Sequence, residues 1–270
     1  MSKLYEYANF SFVVSKDSVQ VAVEASNIVE RLYKAKTRPE KACFNLGLAT
    51  GGTPVLTYQE LIKKSRHGSI DFSRIETFNL DEYLGLHPTH DQSYAHFMNH
   101  NLFSHVPIPS SSIHIPKGYF PDLEESSLDD VVKKECEEYE KLIVHKGGVD
   151  LWLIGIGRNG HIAFNEPGSS KSSRTRIVEL TKDTIEANTR FFTDSDCSVP
   201  SRAVSVGIGT ICEAREILLI ATGANKQQAL YDMVFGEPEH CPAAWLRGGA
   251  PVHVCVDESA FAKLEKHLEK

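Results

Sequence analysis

The 270-residue chain has no run of about 18 uncharged apolar residues, the length a helix needs to span a bilayer. Its first 12 residues mix Lys3 and Glu6 with aromatics and lack the apolar stretch of a secretory leader. Both absences predict a soluble, cytoplasmic protein with no membrane partner. No block of five or more like charges occurs, and 29 basic against 36 acidic residues leave a formal net charge of −7. That balance argues against nucleic acid or an anionic membrane as the main partner. A Cys-x-x-Cys pair is also missing. The six cysteines, Cys43, Cys136, Cys197, Cys212, Cys241 and Cys255, are widely spaced, and several lie in apolar runs where a thiol packs as a small hydrophobe. They are expected to be reduced and structural. Internal repeats and low-complexity tracts are absent, and the Ser/Pro-rich stretches at 107–112 and 167–173 are too short to link domains. One domain over 1–270 is the expectation.

What the sequence does contain is alternation. Short, nearly continuous apolar runs at 44–49, 75–80, 150–156, 216–222 and 252–256 have the character of strands buried on both faces of a parallel sheet. Between them lie segments of helical period. Val21, Ala25, Ile28, Val29 and Leu32 share one face of a helix with Ser15 as its N-cap, and similar patterns cover 54–64, 128–145, 225–234 and 258–268. This order predicts an α/β fold: a doubly wound, mostly parallel sheet with helices on both faces, Rossmann-like in plan.

Ligands of such sheets bind outside the carboxyl ends of the strands, which directs attention to four loops. Thr50-Gly51-Gly52-Thr53-Pro54 follows the first core strand; its glycines let backbone N–H groups approach a ligand, and its proline suits a first helical turn. It is either an ordinary strand-to-helix turn or the outline of an anion cradle. Without the Lys-Ser/Thr of a P-loop, a small phosphate such as a sugar phosphate fits better than a nucleoside triphosphate. Asp81 and Glu82 follow the next strand. Adjacent strand residues point to opposite sides, so they do not make a glycosidase pair: one faces the crevice, or both are solvated acids in a turn. In the third loop His161 precedes Glu166 by five residues, close enough for the carboxylate to orient the imidazole and raise its basicity, unless the histidine is merely surface. The fourth is Gly223-Ala224-Asn225-Lys226.

Two motifs are decoys. Gly155-Ile156-Gly157-Arg158-Asn159-Gly160 matches the dinucleotide fingerprint, but Pro167 comes too soon for a long helix to open at Gly160. His96 and His100 have the spacing of two zinc ligands on a helix, yet Phe97 stands where the metalloprotease glutamate belongs and no third ligand is evident. No metal is expected.

Taken together, Ala49-Thr50-Gly51-Gly52-Thr53-Pro54, Phe78-Asn79-Leu80-Asp81-Glu82-Tyr83 and the run from Gly155 through His161-Ile162-Ala163-Phe164-Asn165-Glu166-Pro167 resemble the glucosamine-6-phosphate deaminase family. The likeness continues through Ser172-Ser173-Arg174-Thr175-Arg176 and Asn188-Thr189-Arg190-Phe191-Phe192 to Lys226. The resemblance implies conversion of glucosamine 6-phosphate and water to fructose 6-phosphate and ammonia, with neither organic cofactor nor metal. It implies Asp81 as the C2 base, and His161, held by Glu166, as the acid/base group at the ring and C1 oxygens. Gly51, Gly52, Thr53, Arg190 and Lys226 would hold the phosphate, and a mobile lid would span about 180–200, including Phe191 and Phe192. The sequence departs from the family pattern at Asn159, where the best-known members carry aspartate. It departs again at Val178, where activated members carry the lysine that, with counterparts of Ser169, Ser170 and Arg176, binds the phosphate of N-acetylglucosamine 6-phosphate. A homo-oligomer is compatible with the family. The alternatives are a galactosamine-6-phosphate deaminase, a 6-phosphogluconolactonase, or a sugar-phosphate-sensing effector domain; the last would need a helix-turn-helix segment and a basic face, which the first forty residues do not offer.

Overall fold

The apolar runs of the sequence become the middle of one large sheet. In the computed structural model, which describes residues 2–37, 43–121, 124–189, 192 and 198–268, the elements follow in the order β1 (Lys3–Tyr7), β2 (Phe10–Ser15), α1 (Ser18–Lys36), β3 (Phe44–Leu48), α2 (Val55–Arg66), β4 (Ile75–Asn79), β5 (Asp81–Tyr83), α3 (Tyr94–Asn101), β6 (Ile113–His114) and α4 (Glu125–His145). The second half adds β7 (Leu151–Gly155), β8 (Arg176–Glu179), α5 (Lys182–Thr189), β9 (Arg202–Ser205), α6 (Ile208–Cys212), β10 (Glu216–Ala221), α7 (Gln227–Phe235), β11 (Val252–Asp257) and α8 (Glu258–Leu268).

The large sheet has the strand order β1-β2-β11-β10-β7-β3-β4-β6, parallel throughout except for the β1–β2 hairpin. From β2 the chain crosses to β3 and β4 on one side; through β7, β10 and β11 it winds back the other way. With right-handed crossovers this reversal puts helices on both faces. Accordingly α1 packs beside α2, α7 packs beside α8, and Tyr139 of α4 meets Phe78 of β4 edge to face at 6.4 Å. The doubly wound expectation holds. Burial matches the strand composition: β3 is buried along its whole length and β10 along all but its first residue, because helices cover both sides.

Local differences have local causes. The N-cap of α1 is Asp17, whose carboxylate accepts the Gln20 N–H at 2.9 Å; Ser15 is the last residue of β2, buried, with no backbone turn to cap. The helix expected from residue 225 begins at Gln227, after a single 3-10 turn at Ala224–Lys226, and α4 starts three residues before the expected 128. Among the described cysteines Cys136, Cys241 and Cys255 are buried and Cys212 half-buried, whereas Cys43 is exposed; none is disulfide-bonded, and Cys197 lies outside the described residues.

One feature was absent from the expectation. A second, three-stranded antiparallel sheet, β5-β9-β8, lies beyond the carboxyl ends of β3 and β4. The chain passes into it at Leu80, whose N–H donates to the Leu48 carbonyl of the large sheet (3.1 Å) while its carbonyl accepts from Val206 N–H (2.7 Å). Asp81 and Glu82 are therefore in a strand, which removes the alternative of two acids in a turn.

Candidate active site

Strands β10, β7, β3 and β4 are adjacent and parallel, so the loops after them open on one edge of the sheet. The direction of winding reverses between β7 and β3, which places the Gly51 and Gly157 loops on either side of the switch point. The four loops singled out from the sequence are thereby brought together.

The first is a turn with an open interior. Gly51 has φ of +98°, a conformation that L side chains resist, and a Cβ on Gly51 or Gly52 would meet no atom within 4 Å. Space for a ligand lies over this backbone. Pro54 ends the turn in helical conformation and α2 has no side-chain cap, so backbone N–H groups of its first turn are open to an anion. Below, the Tyr58 hydroxyl donates to the Ala49 carbonyl and ties the turn to the helix.

The two acids after β4 have opposite surroundings. Both are buried, with 7 and 4% exposure, which rules out a pair of solvated acids. Glu82 accepts three backbone N–H groups, from Tyr83 (2.8 Å), Tyr94 (2.9 Å) and Ala95 (2.9 Å), and so holds the N-terminus of α3 against β5. Burial pushes its carboxyl up to about 7, against the pull of those three donors. None of the hydrogen bonds among the described residues ends on the Asp81 carboxylate. Burial and then the neighbouring Glu82 raise it to about 8. A buried acid raised in this way, with no hydrogen-bond donor among the described residues, is of the kind that marks a candidate functional position.

The third loop is built around His161. Gly157 N–H donates to the His161 carbonyl (2.8 Å), folding the chain back, and no helix opens at Gly160, which disposes of the dinucleotide reading. A Cβ on Gly157 would fall on the imidazole ring, so glycine here is a requirement of close approach. Glu166 Oε1 faces His161 Nδ1 at 3.6 Å, beyond hydrogen-bond reach, and Nδ1 is buried with no hydrogen-bond partner among the described residues. Glu166 Oε2 accepts from Asn159 Nδ2 (2.6 Å), while Asn159 Oδ1 accepts the His161 N–H (3.2 Å). The amide at 159 thus does what a carboxylate there cannot: it donates to Glu166. Burial would raise the Glu166 carboxyl, but the nearby imidazole of His161, the Thr184 hydroxyl and the Asn159 amide hold it below the usual carboxylate range.

Lys226 reaches across from the turn after β10, its Nζ donating to the Ile156 carbonyl at 2.6 Å. Its charge is fixed beside the His161 loop. Arg190 and Phe191 lie outside the described residues, as do 193–197 of the expected lid. Phe192 is described and buried: its ring meets Tyr83 edge-on at 5.8 Å, in an apolar cluster with Leu86, Phe164 and Leu180. Val178 is half-buried and packs its side chain against the same cluster. Arg176 donates to Asn165 Oδ1 (2.9 Å) and lies 3.5 Å from Ser169 Oγ, while Ser170 Oγ turns to Ser172 Oγ at 3.0 Å.

Sequence reasoning missed three participants. Tyr94 is set by the Glu82 contact, and its ring packs on those of Tyr83 (4.8 Å) and Phe164 (6.1 Å, stacked), joining α3 to β5 and the 157–166 loop. Thr181 and Thr184 join Glu166 to α5; the Thr-x-x-Thr spacing marks the start of the helix but not its link to Glu166. His96 and His100 stack their rings in parallel at 6.3 Å, and among the described residues no three His, Cys, Asp or Glu side chains converge as a metal site.

Over residues 16–254 the chain matches the family described as glucosamine-6-phosphate isomerases/6-phosphogluconolactonase. The chain belongs to this family. Within it, glucosamine-6-phosphate deaminase 1 of Giardia intestinalis is 51% identical over 216 residues, 80% of this chain and 78% of the relative. The glucosamine-6-phosphate deaminase of Shewanella woodyi is 43% identical over 263 residues, 95 and 94% of the two chains. A solved monomeric glucosamine-6-phosphate deaminase superposes with a TM-score of 0.84 at 37% identity, covering 93% of this chain and 99% of its own. The 6-phosphogluconolactonase of Thermotoga maritima has the same fold (TM-score 0.70) at 23% identity, with 92% of this chain and 99% of that one covered. The deaminase branch of the family is thus far nearer in sequence than the lactonase branch.

Proposed function

We propose that this chain is a glucosamine-6-phosphate deaminase and that the site above carries out the reaction. The observation that carries the assignment is Asp81: a buried carboxylate with no hydrogen-bond donor among the described residues, raised to about 8, at the same sheet edge as an open glycine turn and a carboxylate-backed histidine. An aldose-to-ketose conversion needs such a base, whereas hydrolysis of a lactone has no C2 proton to move.

The turn of Gly51, Gly52 and Thr53 at the start of α2, together with Lys226 and Arg190, is assigned to the phosphate. Bound there, the substrate presents its pyranose ring toward β5 and the 157–166 loop. His161 gives its proton to the ring oxygen as the C1–O5 bond breaks, and the C1 hydroxyl loses its own proton as the aldehyde forms. Asp81 removes the C2 proton, and the electron pair moves into the C1–C2 bond while O1 is protonated. Return of a proton to C1 leaves an iminium carbon at C2. Water adds to that carbon and ammonia departs, giving the ketone of fructose 6-phosphate. Every step is proton transfer or addition, which the residues present can serve; positioned groups of this kind each contribute about 10²–10⁴-fold. Incubation with glucosamine 6-phosphate, with ammonia and fructose 6-phosphate measured separately, tests the assignment. Hydrolysis of 6-phosphogluconolactone with no ammonia from the amino sugar would overturn it.

The phosphate assignment has its own test. Lys226→Ala removes a charge-assisted contact of about 1.5–3 kcal/mol, so KM should rise roughly 10- to 100-fold. Free glucosamine should be a very poor substrate, because binding energy from the remote phosphate orients the reacting carbons. Equal kcat/KM with and without the phosphate refutes the cradle.

Activation by N-acetylglucosamine 6-phosphate is not expected. Val178 is committed to the apolar cluster and Arg176 to Asn165, which leaves the effector's phosphate without the lysine of activated relatives. Loss of one such contact is comparable to a whole allosteric coupling of about 1–3 kcal/mol. Saturation by glucosamine 6-phosphate should be hyperbolic and unchanged by the N-acetyl compound; sigmoidal curves made hyperbolic by it would contradict the inference.

A further inference from the structure

The gap between Glu166 and His161 has a visible cause. Glu166 Oε1, 3.6 Å from the imidazole, is only 2.6 Å from Thr184 Oγ1, which donates to it. A hydroxyl has one proton, and Thr184 commits it to this carboxylate. The same hydroxyl accepts from Thr181 Oγ1 at 3.0 Å, and Thr181 Oγ1 in turn accepts the Thr184 N–H at 3.2 Å, capping the first turn of α5. Thr184 is 8% exposed, so water competes little for these bonds. The other carboxylate oxygen is taken by Asn159. Glu166 is thus slung between the loop and α5, with its Oε1 drawn toward the helix and left short of the imidazole.

We propose that Thr184 is a positioning residue: through its hydroxyl, α5 holds the Glu166 carboxylate just out of hydrogen-bond reach of His161 in the free protein, and the position of α5 sets the strength of that contact. This rests on the reading of His161 as the acid/base group, and it adds to that reading a control lying on a separate helix. Closing the gap to an ordinary hydrogen bond takes a movement of about 0.8 Å. A carboxylate at hydrogen-bond distance favours the imidazolium, so a small displacement of α5 changes how firmly His161 holds its proton.

Other titratable groups around the loop do not depend on Thr184. Lys226 is fixed to the Ile156 carbonyl, Asp81 sits on β5 at the same sheet edge, the Cys241 thiol donates to the Ala229 carbonyl, and Arg158 is exposed. A change at Thr184 therefore acts on His161 through Glu166.

The test follows the His161 imidazole nitrogens by NMR through a pH titration of the free, full-length protein. In Thr184→Ala and Thr184→Val only the longer contact from Thr181 Oγ1 (3.5 Å) still draws Glu166 Oε1 toward α5; the carboxylate can then approach the ring, and the His161 midpoint should move to higher pH. Thr184→Ser, which keeps the hydroxyl, should titrate as the parent does. Thr184→Ala retains the Thr181 cap and adds no volume, so it can be read where the valine variant fails to fold. In a Glu166→Gln background Thr184→Ala should give no further shift, since no carboxylate is left to release. Midpoints in the alanine variant equal to the parent's, or a shift that persists without Glu166, would overturn the proposal. Turnover of glucosamine 6-phosphate by the parent is measured alongside. Absence of ammonia there refutes the assigned reaction, and the titration of the free protein still decides the role of Thr184.

Discussion

Asp81→Asn should lose about 10²–10⁴-fold in turnover while gaining stability at alkaline pH. The amide has the shape of the carboxylate and keeps the crevice intact, but it cannot take the C2 proton. Because the phosphate cradle lies on another loop, KM should change little and the loss should fall on kcat. Exchange of the C2 hydrogen with solvent reads the step directly. A variant that exchanges that hydrogen at the parent rate would remove Asp81 from the mechanism.

The stability half of the prediction follows from the same burial. Asp81 is raised from 3.8 to about 8 on folding. Below pH 4 the group is protonated in both folded and unfolded chains and costs nothing. As pH rises the unfolded carboxyl ionises first, so stability drains away up to the folded value of about 8 and stays lost above it. The amide of the variant is uncharged throughout, and the Asp81→Asn chain should therefore unfold at the parent's temperature near pH 4 but later at pH 9. A relief of at least about 1 kcal/mol corresponds to roughly 2–4 °C in Tm for a chain of this size. The pH dependence of the parent carries the same signature: kcat/KM should climb on its alkaline side toward about 8 as the free enzyme's base ionises. A variant equally stable or less stable at pH 9 would mean that the charge is not buried against its preference.

These features differ in how far the sequence revealed them, and the difference is physical. The central strands were readable because burial on both faces demands continuous apolar runs; Leu151–Gly155 and Glu216–Ala221 leave no other assignment. Strands β5, β8 and β9, of three, four and four residues, carry no such run and pair only because the chain leaves the large sheet at Leu80. Hence Asp81 and Glu82 were legible as strand-end acids, while their separate fates were not. Glu82 is consumed by the N–H groups of Tyr94 and Ala95, twelve residues and more away. The Gly51 turn and the pairing of His161 with Glu166 were local and visible. The link from Glu166 to α5 spans 18 residues and depends on how β8 returns the chain, which no local pattern encodes.

Replacing Gly157 by alanine should cost the enzyme about as much as losing His161. Gly157 does not have the left-handed backbone that would penalise an alanine, so the effect is purely one of space. The added Cβ lands on the imidazole ring, and the hydrogen bond from Gly157 N–H to the His161 carbonyl (2.8 Å) keeps the backbone from yielding. The ring must move, and a displacement of about 1 Å in a catalytic group costs on the order of 10²-fold. His161→Gln, which cannot cycle between acid and base, should lose about 10²–10⁴-fold on the cyclic substrate and one limb of its pH–rate profile. Because both changes disable the same proton transfer, their effects should not multiply. The Gly157→Ala/His161→Gln double variant should turn over no more slowly than His161→Gln alone, with KM near the parent's in all three. Parental kcat in Gly157→Ala would show that the imidazole has room to spare. A double variant slower by the product of the single losses would show that Gly157 acts on something other than His161.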